Sequence, residues 1–327
     1  MARCGVEPAP AARGRWSRRG QHGAAIVTVL LIVSLATVIV SGLFWREHVA
    51  VRSIENRLAL AQTRWIERAA IDWARVILAN DLRGSNTDWL GEPWATPVAD
   101  TKLDETVTAG GRIDDRGRAP AMLAGQIFDA QGFLNLNNLV VGGMRQPAEV
   151  EAFGRLLELL GKSSALAEQL AARLLAAAPP AGVQPTALPM KRLADLRELP
   201  GFDDETIGAL EPFAIFLPLR SGFTKVNVNT APAEVIAARV PSLEGNLARA
   251  RAMVEQRTRQ SFFKSTSDAA NALADPQGLD ANQWSVVSDH FLLRGVIRYE
   301  RVVSRTDTLL RRTGPGQPVE VVWQDRY

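Results

Sequence analysis

Residues 24–45, AAIVTVLLIVSLATVIVSGLFW, form an apolar run of 22 positions without a charge. At ~1.5 Å per residue, a helix of that length crosses the roughly 30 Å hydrocarbon core of a bilayer. No turn signal separates this run from the amphipathic pattern that follows. Ile54, Leu58, Ala61, Trp65, Ala69, Trp73 and Ile77 recur three and four apart as one apolar stripe, with Arg52, Glu55, Arg64 and Glu67 on other faces. The first glycine-containing break is Asp81-Leu82-Arg83-Gly84-Ser85-Asn86. One helix over 24–80, on the order of 85 Å long, is predicted. A secretory signal would show a shorter apolar region and a small-x-small cleavage site beyond it. A plain membrane anchor would not require the continuous helix.

The patterns then change. Residues 85–120, rich in Gly, Pro, Asp and Thr, read as loop, with Trp89 and Trp94 as anchors against a core. Residues 122–128 read as a strand and Asp129-Ala130-Gln131-Gly132 as a turn. Phe133-Leu134-Asn135-Leu136-Asn137-Asn138-Leu139 follows, its asparagines suited to capping the backbone of a buried loop. Val150, Phe153, Leu157 and Leu160 form a helical stripe from Pro147, ended by Gly161. Ser164 caps a second helix with Leu166, Leu170, Leu174 and Ala177 inward, stopped at Pro179-Pro180. Beyond a proline-containing link over 180–189, Leu193, Leu196 and Leu199, then Ile207 and Leu210, continue the helical pattern. Lys225-Val226-Asn227-Val228-Asn229-Thr230-Ala231-Pro232-Ala233-Glu234 opens another unit, with Thr230 as N-cap. Its helices are predicted around 231–239, 244–257, 265–274 and 280–288. The tail returns to strand. Over Phe291–Val303, Ile297, Tyr299 and Val303 lie on one side and Arg298 and Glu300 on the other; Gly314-Pro315-Gly316 turns, and Val319, Val321 and Trp323 alternate in a last strand. Strands flanking a helical block predict one sheet interrupted by an insertion.

Composition narrows the chemistry. Hydrophobic residues make up 46% and charged residues 22% of the 327, which places most of the chain among globular proteins. The net charge of +3 suggests an acidic partner until it is located. Arg3, Arg13, Arg15, Arg18 and Arg19 against Glu7 put +4 in residues 1–23, leaving the other 304 at −1. Bulk charge therefore gives no case for nucleic acid. By the positive-inside rule the leader is cytoplasmic and the chain after residue 46 lies on the other side. The single cysteine, Cys4, excludes disulfides, and His22, His48 and His290 sit in unrelated contexts, so no metal site is predicted. Neither a Gly-x-Ser-x-Gly elbow, a phosphate loop nor a His-Glu-x-x-His motif occurs. Asp114-Asp115 and Asp203-Asp204 read as solvated loop or helix-start charges, and no enzyme is predicted.

Arg19-Gly20-Gln21-His22-Gly23, followed by Ala24-Ala25-Ile26-Val27-Thr28-Val29-Leu30-Leu31, resembles the class III prepilin leader, most closely that of the minor pseudopilin K family of the bacterial type II secretion system. The likeness is strongest at 19–45, 125–139 and 225–240, where the two Asn-rich phrases lie, and weakest at 85–120 and 176–190. It implies an α+β fold: a pilin-like long N-terminal helix packed on a small antiparallel sheet, with a large, sterile-alpha-motif-like helical insertion. The implied divisions are a leader (1–23), a transmembrane helix (24–45), its amphipathic continuation (46–80), a pilin-like loop and strand region (81–145), a first helical insert (146–222), a second helical unit (223–289) and C-terminal strands (290–327). It further implies cleavage after Gly23 by the prepilin peptidase, leaving Ala24 as an N-methylated terminus. Gly20 competes as a site, but cutting there leaves Gln21 and His22 ahead of the apolar run. Ile26, Thr28, Leu30 and Leu31 would serve membrane storage and filament packing. The implied setting is the inner membrane, single pass, N-terminus cytoplasmic and bulk periplasmic. The implied partners are minor pseudopilins I and J, other pseudopilins and the inner-membrane assembly platform, in a filament that pushes folded proteins through the outer membrane.

Three departures from the family carry expectations of their own. Most pilin-like subunits carry glutamate at the fifth mature position; counted from Ala24 this is Thr28, and no acid precedes Glu47. That fits a tip subunit, with none ahead of it whose ammonium needs neutralising. Family members can bind calcium through an acidic loop, but the matching segment, residues 176–186, holds no carboxylate, so no cofactor is expected. Leu199-Pro200-Gly201-Phe202-Asp203-Asp204 and Val240-Pro241-Ser242-Leu243-Glu244-Gly245 resemble helix-hairpin-helix turns, which makes a membrane-anchored DNA-binding protein of competence type the alternative. Asp203, Asp204 and Glu205 would repel a phosphate, whereas Arg249, Arg251, Arg257 and Arg259 lie behind the second turn.

Overall fold

The computed structural model describes residues 22–103, 121–219, 222–275 and 279–327. The chain divides into two compact units, Met1–Leu58 and Ala59–Tyr327. Helix α1 (His22–Gly84) contributes to both. It continues four residues past the predicted end and contains no break at residue 45. In the first unit it is the only described element, and every side chain from Ala25 to Leu58 is exposed.

The second unit is built on a five-stranded antiparallel sheet of β1 (Val98–Lys102), β2 (Met122–Asp129), β9 (His290–Tyr299), β10 (Val302–Arg311) and β11 (Glu320–Arg326), in the order β1-β2-β9-β10-β11. Alternation along β9 sends Phe291, Leu293, Ile297 and Tyr299 to one face, where Ala59, Ile66, Ile71, Ala74 and Leu78 of α1 cover them. Leu292 and Leu309 point to the opposite face and pack on Ile215 and Leu217. Because β2 pairs directly with β9, residues 130–289 are an insertion between neighbouring strands, as predicted.

The insertion has two apolar cores. The first gathers Leu134, Leu136 and Leu139, Phe153 and Leu157 of α2 (Pro147–Leu159), Leu170 and Leu174 of α3 (Ala165–Ala177), and Ile207 and Leu210 of α4 (Asp204–Leu210). Gly161, at φ 72°, ends α2: its N–H donates to Glu158 O at 2.9 Å and that of Lys162 to Leu157 O at 2.8 Å. The second core gathers Val226 and Val228, Ile236 of α5 (Ala233–Arg239), Met253 of α6 (Leu247–Arg259), Ala269 of α7 (Thr266–Ala272) and Trp284. Leu159 and Phe213 pack against both cores. The buried Arg239–Glu149 ion pair, at 2.6 Å, ties α5 to α2. Leu134–Asn135 (β3) with Ala214–Ile215 (β6), and Val226–Asn227 (β7) with Trp284–Ser285 (β8), form short parallel pairs; Val140–Val141 (β4) and Met144–Arg145 (β5) form an antiparallel one.

Several local predictions need correction. Trp65 and Trp73, placed in the single apolar stripe, are 67% and 52% exposed, because the sheet is met by the adjacent face through Ala59, Thr63, Ile66, Ala74 and Leu78. Glu67, assigned to a polar face, is buried there, holding Arg326 at 2.9 Å and Gln324. Residues 280–288 are no helix: Trp284 pairs with Val226 instead. The strand predicted over Phe291–Val303 is a hairpin turning at Glu300, φ 52°, so Val303 leaves the side of Ile297. Val319 and Trp323 fall on opposite faces because a bulge between Leu309 and Leu310 shifts the register. Strand β1 and a 3-10 turn at Pro93–Ala95 lie in the predicted loop. Ser164 precedes α3 but makes no side-chain cap bond. Asp114, Asp115 and the leader before His22 lie outside the described residues.

Candidate functional site

The apolar segment of α1 carries the first candidate residues. Ile26, Leu30 and Leu31 are more than 60% exposed, and mean hydropathy over the best 18-residue window reaches 2.7. Ile26 and Leu30 share one face of the helix; Thr28 and Leu31 share another. The hydroxyls along the segment are turned back on the helix: Thr28 Oγ1 donates to Ala25 O at 2.9 Å, Ser34 Oγ to Leu30 O at 2.7 Å and Thr37 Oγ1 to Val33 O at 2.8 Å. These three polar groups therefore enter an apolar solvent with a partner already in place. Gly23 and Ala24 belong to the first turn of the same helix.

The second region is a polar junction built by the Asn-rich phrases; the asparagines of the first cap buried loop backbone, as expected. Asn135 exchanges hydrogen bonds with Leu217, accepting its N–H at 2.9 Å and donating to its carbonyl at 3.2 Å, and Asn138 does the same with Thr224. Asn229 pairs in the same way with Phe263. Asn227 donates to Asp88 O, Asp129 Oδ2 and Ser288 Oγ, and so joins the strand β2 turn, the loop after α1 and the segment after β8. Thr230 is not the N-cap of α5, a position held by Pro232; its hydroxyl donates to Asp129 Oδ2 at 2.7 Å. Burial pushes the Asp129 carboxyl up to about 6, the neighbouring Asp88 charge adding to it and hydrogen bonds from Ser288 and Thr230 opposing it. Arg312 Nη1 meets Asp81 at 2.8 Å and Nη2 meets Asp88 at 2.6 Å. The sequence could not reveal this cluster: Asp88 and Arg312 stand 224 positions apart.

Asp203 N-caps α4, accepting from Thr206 N–H at 2.8 Å, and the Thr206 bonds hold its carboxyl below the usual range. Asp204 pairs with Arg197. Behind the second hairpin turn, Arg249 donates to the Ser242 and Leu273 carbonyls, Arg257 is buried on those of Val228 and Ala231, and Arg251 lies 3.7 Å from Glu234. Arg249 and Arg257 are thus held on backbone carbonyls of the fold itself and Arg251 makes a surface pair with an acid, which weakens the support for a phosphate-binding turn. Asp81, Asp88 and Glu92 form the one grouping of three potential metal ligands among the described residues, and Arg312 already occupies it. Trp94 is buried, its Nε1 donating to Glu92 at 2.8 Å; Trp89 is half-buried against Phe262.

Comparison with known proteins gives consistent matches. Two family models described as type II secretion system protein K match residues 132–219 and 226–287. A type II secretion system protein K from Pseudomonas aeruginosa is 37% identical over 163 residues, 48% of this chain and 45% of the relative, so the chain matches less than half the length of that protein. One from Pectobacterium carotovorum is 25% identical over 93% of this chain and 96% of its own. Among solved structures, a chain of the GspK–GspI–GspJ complex of the enterotoxigenic Escherichia coli type 2 secretion system aligns with a TM-score of 0.61 at 20% identity, covering 82% of this chain and 96% of that one. That likeness is one of fold.

Proposed function

We propose an assembly role, with no catalysis, for this chain, which belongs to the type II secretion system protein K family and is a minor pseudopilin of that system. It joins minor pseudopilins I and J in a complex that starts the pseudopilus and forms its tip, and the filament drives folded proteins through the outer membrane. The observation that carries this reading is the agreement of fold, over 82% of the chain, with a protein solved together with GspI and GspJ.

The precursor is stored in the inner membrane on residues 24–45, its leader in the cytoplasm and its bulk in the periplasm. The prepilin peptidase cuts after Gly23 and Ala24 becomes the N-methylated terminus. Ile26, Leu30 and Leu31 exchange lipid for neighbouring subunits when the assembly platform extracts the chain. Thr28, its hydroxyl bonded within its own helix, presents no carboxylate to a subunit ahead, as suits the end of a filament. No calcium is required, since residues 176–186 carry no acid.

The test is co-purification of the full chain with its I and J partners in detergent. A stoichiometric ternary complex is expected. Recovery of an I–J pair from which this chain is absent would refute the reading.

A further inference from the structure

Four carboxylates and one guanidinium meet where the sheet, the end of α1 and the second helical core join. Asp81, Asp88 and Glu92 present oxygens within 4.8 Å of one another. Asp129 stands beyond Ser288, whose hydroxyl donates to Asp129 Oδ2 at 2.6 Å while its N–H donates to Asp88 Oδ2 at 2.6 Å. Arg312 directs its donors to Asp81, Asp88 and the Ser288 carbonyl. From β9, His290 lies against Asp289, and the N–H groups of both bond Gln131 Oε1; Lys225 offers its carbonyl to Gln131 Nε2. Four ionised carboxylates against one arginine would leave three charges uncompensated in a largely buried site, a costly state.

Asp129 is arranged to relieve it. Two of the three side chains that donate to Oδ2 are hydroxyls, which change from donor to acceptor by rotating. Thr230 Oγ1 has a second acceptor, Asn227 O, at 3.4 Å. A proton on Oδ2 can therefore be donated to Thr230 Oγ1 while Thr230 turns its own hydrogen to Asn227 O, with no heavy atom displaced.

We propose that this junction is a proton-operated latch: Asp129 takes up a proton in mild acid and the second helical core is then held more tightly on the sheet, loosening as the pH rises. Burial raises the Asp129 carboxyl from 3.8 to about 6; it raises that of Asp81 to about 6 as well, with Glu92 and Asp88 adding and Arg312 opposing, and it also raises that of Glu92. A group raised in the folded state contributes stability that is full below its unfolded value and lost as the pH climbs through its folded one, here between about pH 4 and 6. Between about pH 5 and about pH 7.5 the contribution of Asp129 amounts to roughly tenfold in the opening equilibrium.

Hydrogen exchange on the full chain in detergent micelles, corrected for intrinsic rates, tests this. Peptides covering residues 84–92, 225–231 and 284–290 should be at least about tenfold better protected at about pH 5 than at about pH 7.5. Residues 305–311 and 320–326 should not change. Asp129→Asn should reduce that difference at least about threefold, the remainder lying with Asp81 and Glu92. Equal protection of the wild type at both pH values, or a difference that Asp129→Asn leaves undiminished, would overturn the latch. Should that variant not fold, infrared titration of the wild-type chain and of Asp81→Asn decides: a carboxyl band lost with a midpoint near 6 in both supports it, and none titrating above about pH 5 in Asp81→Asn refutes it.

Discussion

Replacing Arg312 with methionine removes one guanidinium from three partners at once: Asp81 at 2.8 Å, Asp88 at 2.6 Å and the Ser288 carbonyl at 2.8 Å. Arg312 and Asp88 are each only 3% exposed at the side chain, so water cannot replace the lost bonds. Unpairing a buried charge costs about 3–5 kcal/mol. Methionine fills a similar volume beside the Phe291 ring, over which the guanidinium now lies at 4.9 Å, so little cavity cost is added. At about 2–4 °C per kcal/mol for a unit of this size, the melting temperature should fall by roughly 6–20 °C. In urea the midpoint should move to lower concentration with the slope unchanged. Adding Asp88→Asn should recover part of the loss, because the stranded charge goes with it; the two effects should depart from additivity by at least about 1 kcal/mol. A loss below about 1 kcal/mol, or strict additivity with Asp88→Asn, would show that the arginine does not hold this junction.

Four further substitutions probe other parts of the molecule. Gly295 and Gly125 face each other across β9 and β2, yet a Cβ on Gly295 meets nothing nearer than Thr306 Oγ1 at 3.4 Å, whereas one on Gly125 lies 2.8 Å from Arg294 O; in thermal melts Gly295→Ala should stabilise by about 0.5–1 kcal/mol and Gly125→Ala should destabilise, and the reverse order would contradict the packing described. Asn135→Ala should cost roughly 1–3 kcal/mol in urea unfolding by stranding the N–H of Leu217, whose carbonyl keeps Asn137 Nδ2 at 3.0 Å, and a cost under about 0.5 kcal/mol would remove its bridging role. In cells with the prepilin peptidase, mass spectrometry should find the mature terminus at Ala24 and Gly23→Ala should block processing; a terminus at Gln21 or beyond residue 45 would refute the leader assignment.

The parts of the fold that local pattern controls were legible in the sequence. An uncharged run of 22 residues followed by apolar spacing of three and four has few structures other than a long helix, and Pro147 with Gly161 marks α2 at both ends. What depended on distant partners was not. Trp284 is a strand residue because Val226 lies beside it, and nothing between residues 280 and 288 records that. The β9–β10 turn is made by Glu300 in the left-handed region rather than by glycine, and Arg305, Asp307 and Arg311 interrupt the apolar alternation of β10. Choosing between the two apolar faces of α1 required the sheet, since Trp65 and Trp73 outweigh Ala59 and Ala74 in any hydrophobic count. Asn227 and Thr230 stood out as a phrase, but their shared partner Asp129 read only as a turn residue.

The most direct test of the central claim, that this subunit caps the pseudopilus, is its position in assembled filaments. Site-specific cross-linking from the apolar segment of α1, with gold labelling of the periplasmic unit, should place one copy at a single end, joined to I and J and not to another copy of itself. Labels repeating along the shaft, with cross-links between copies of this chain, would contradict the account.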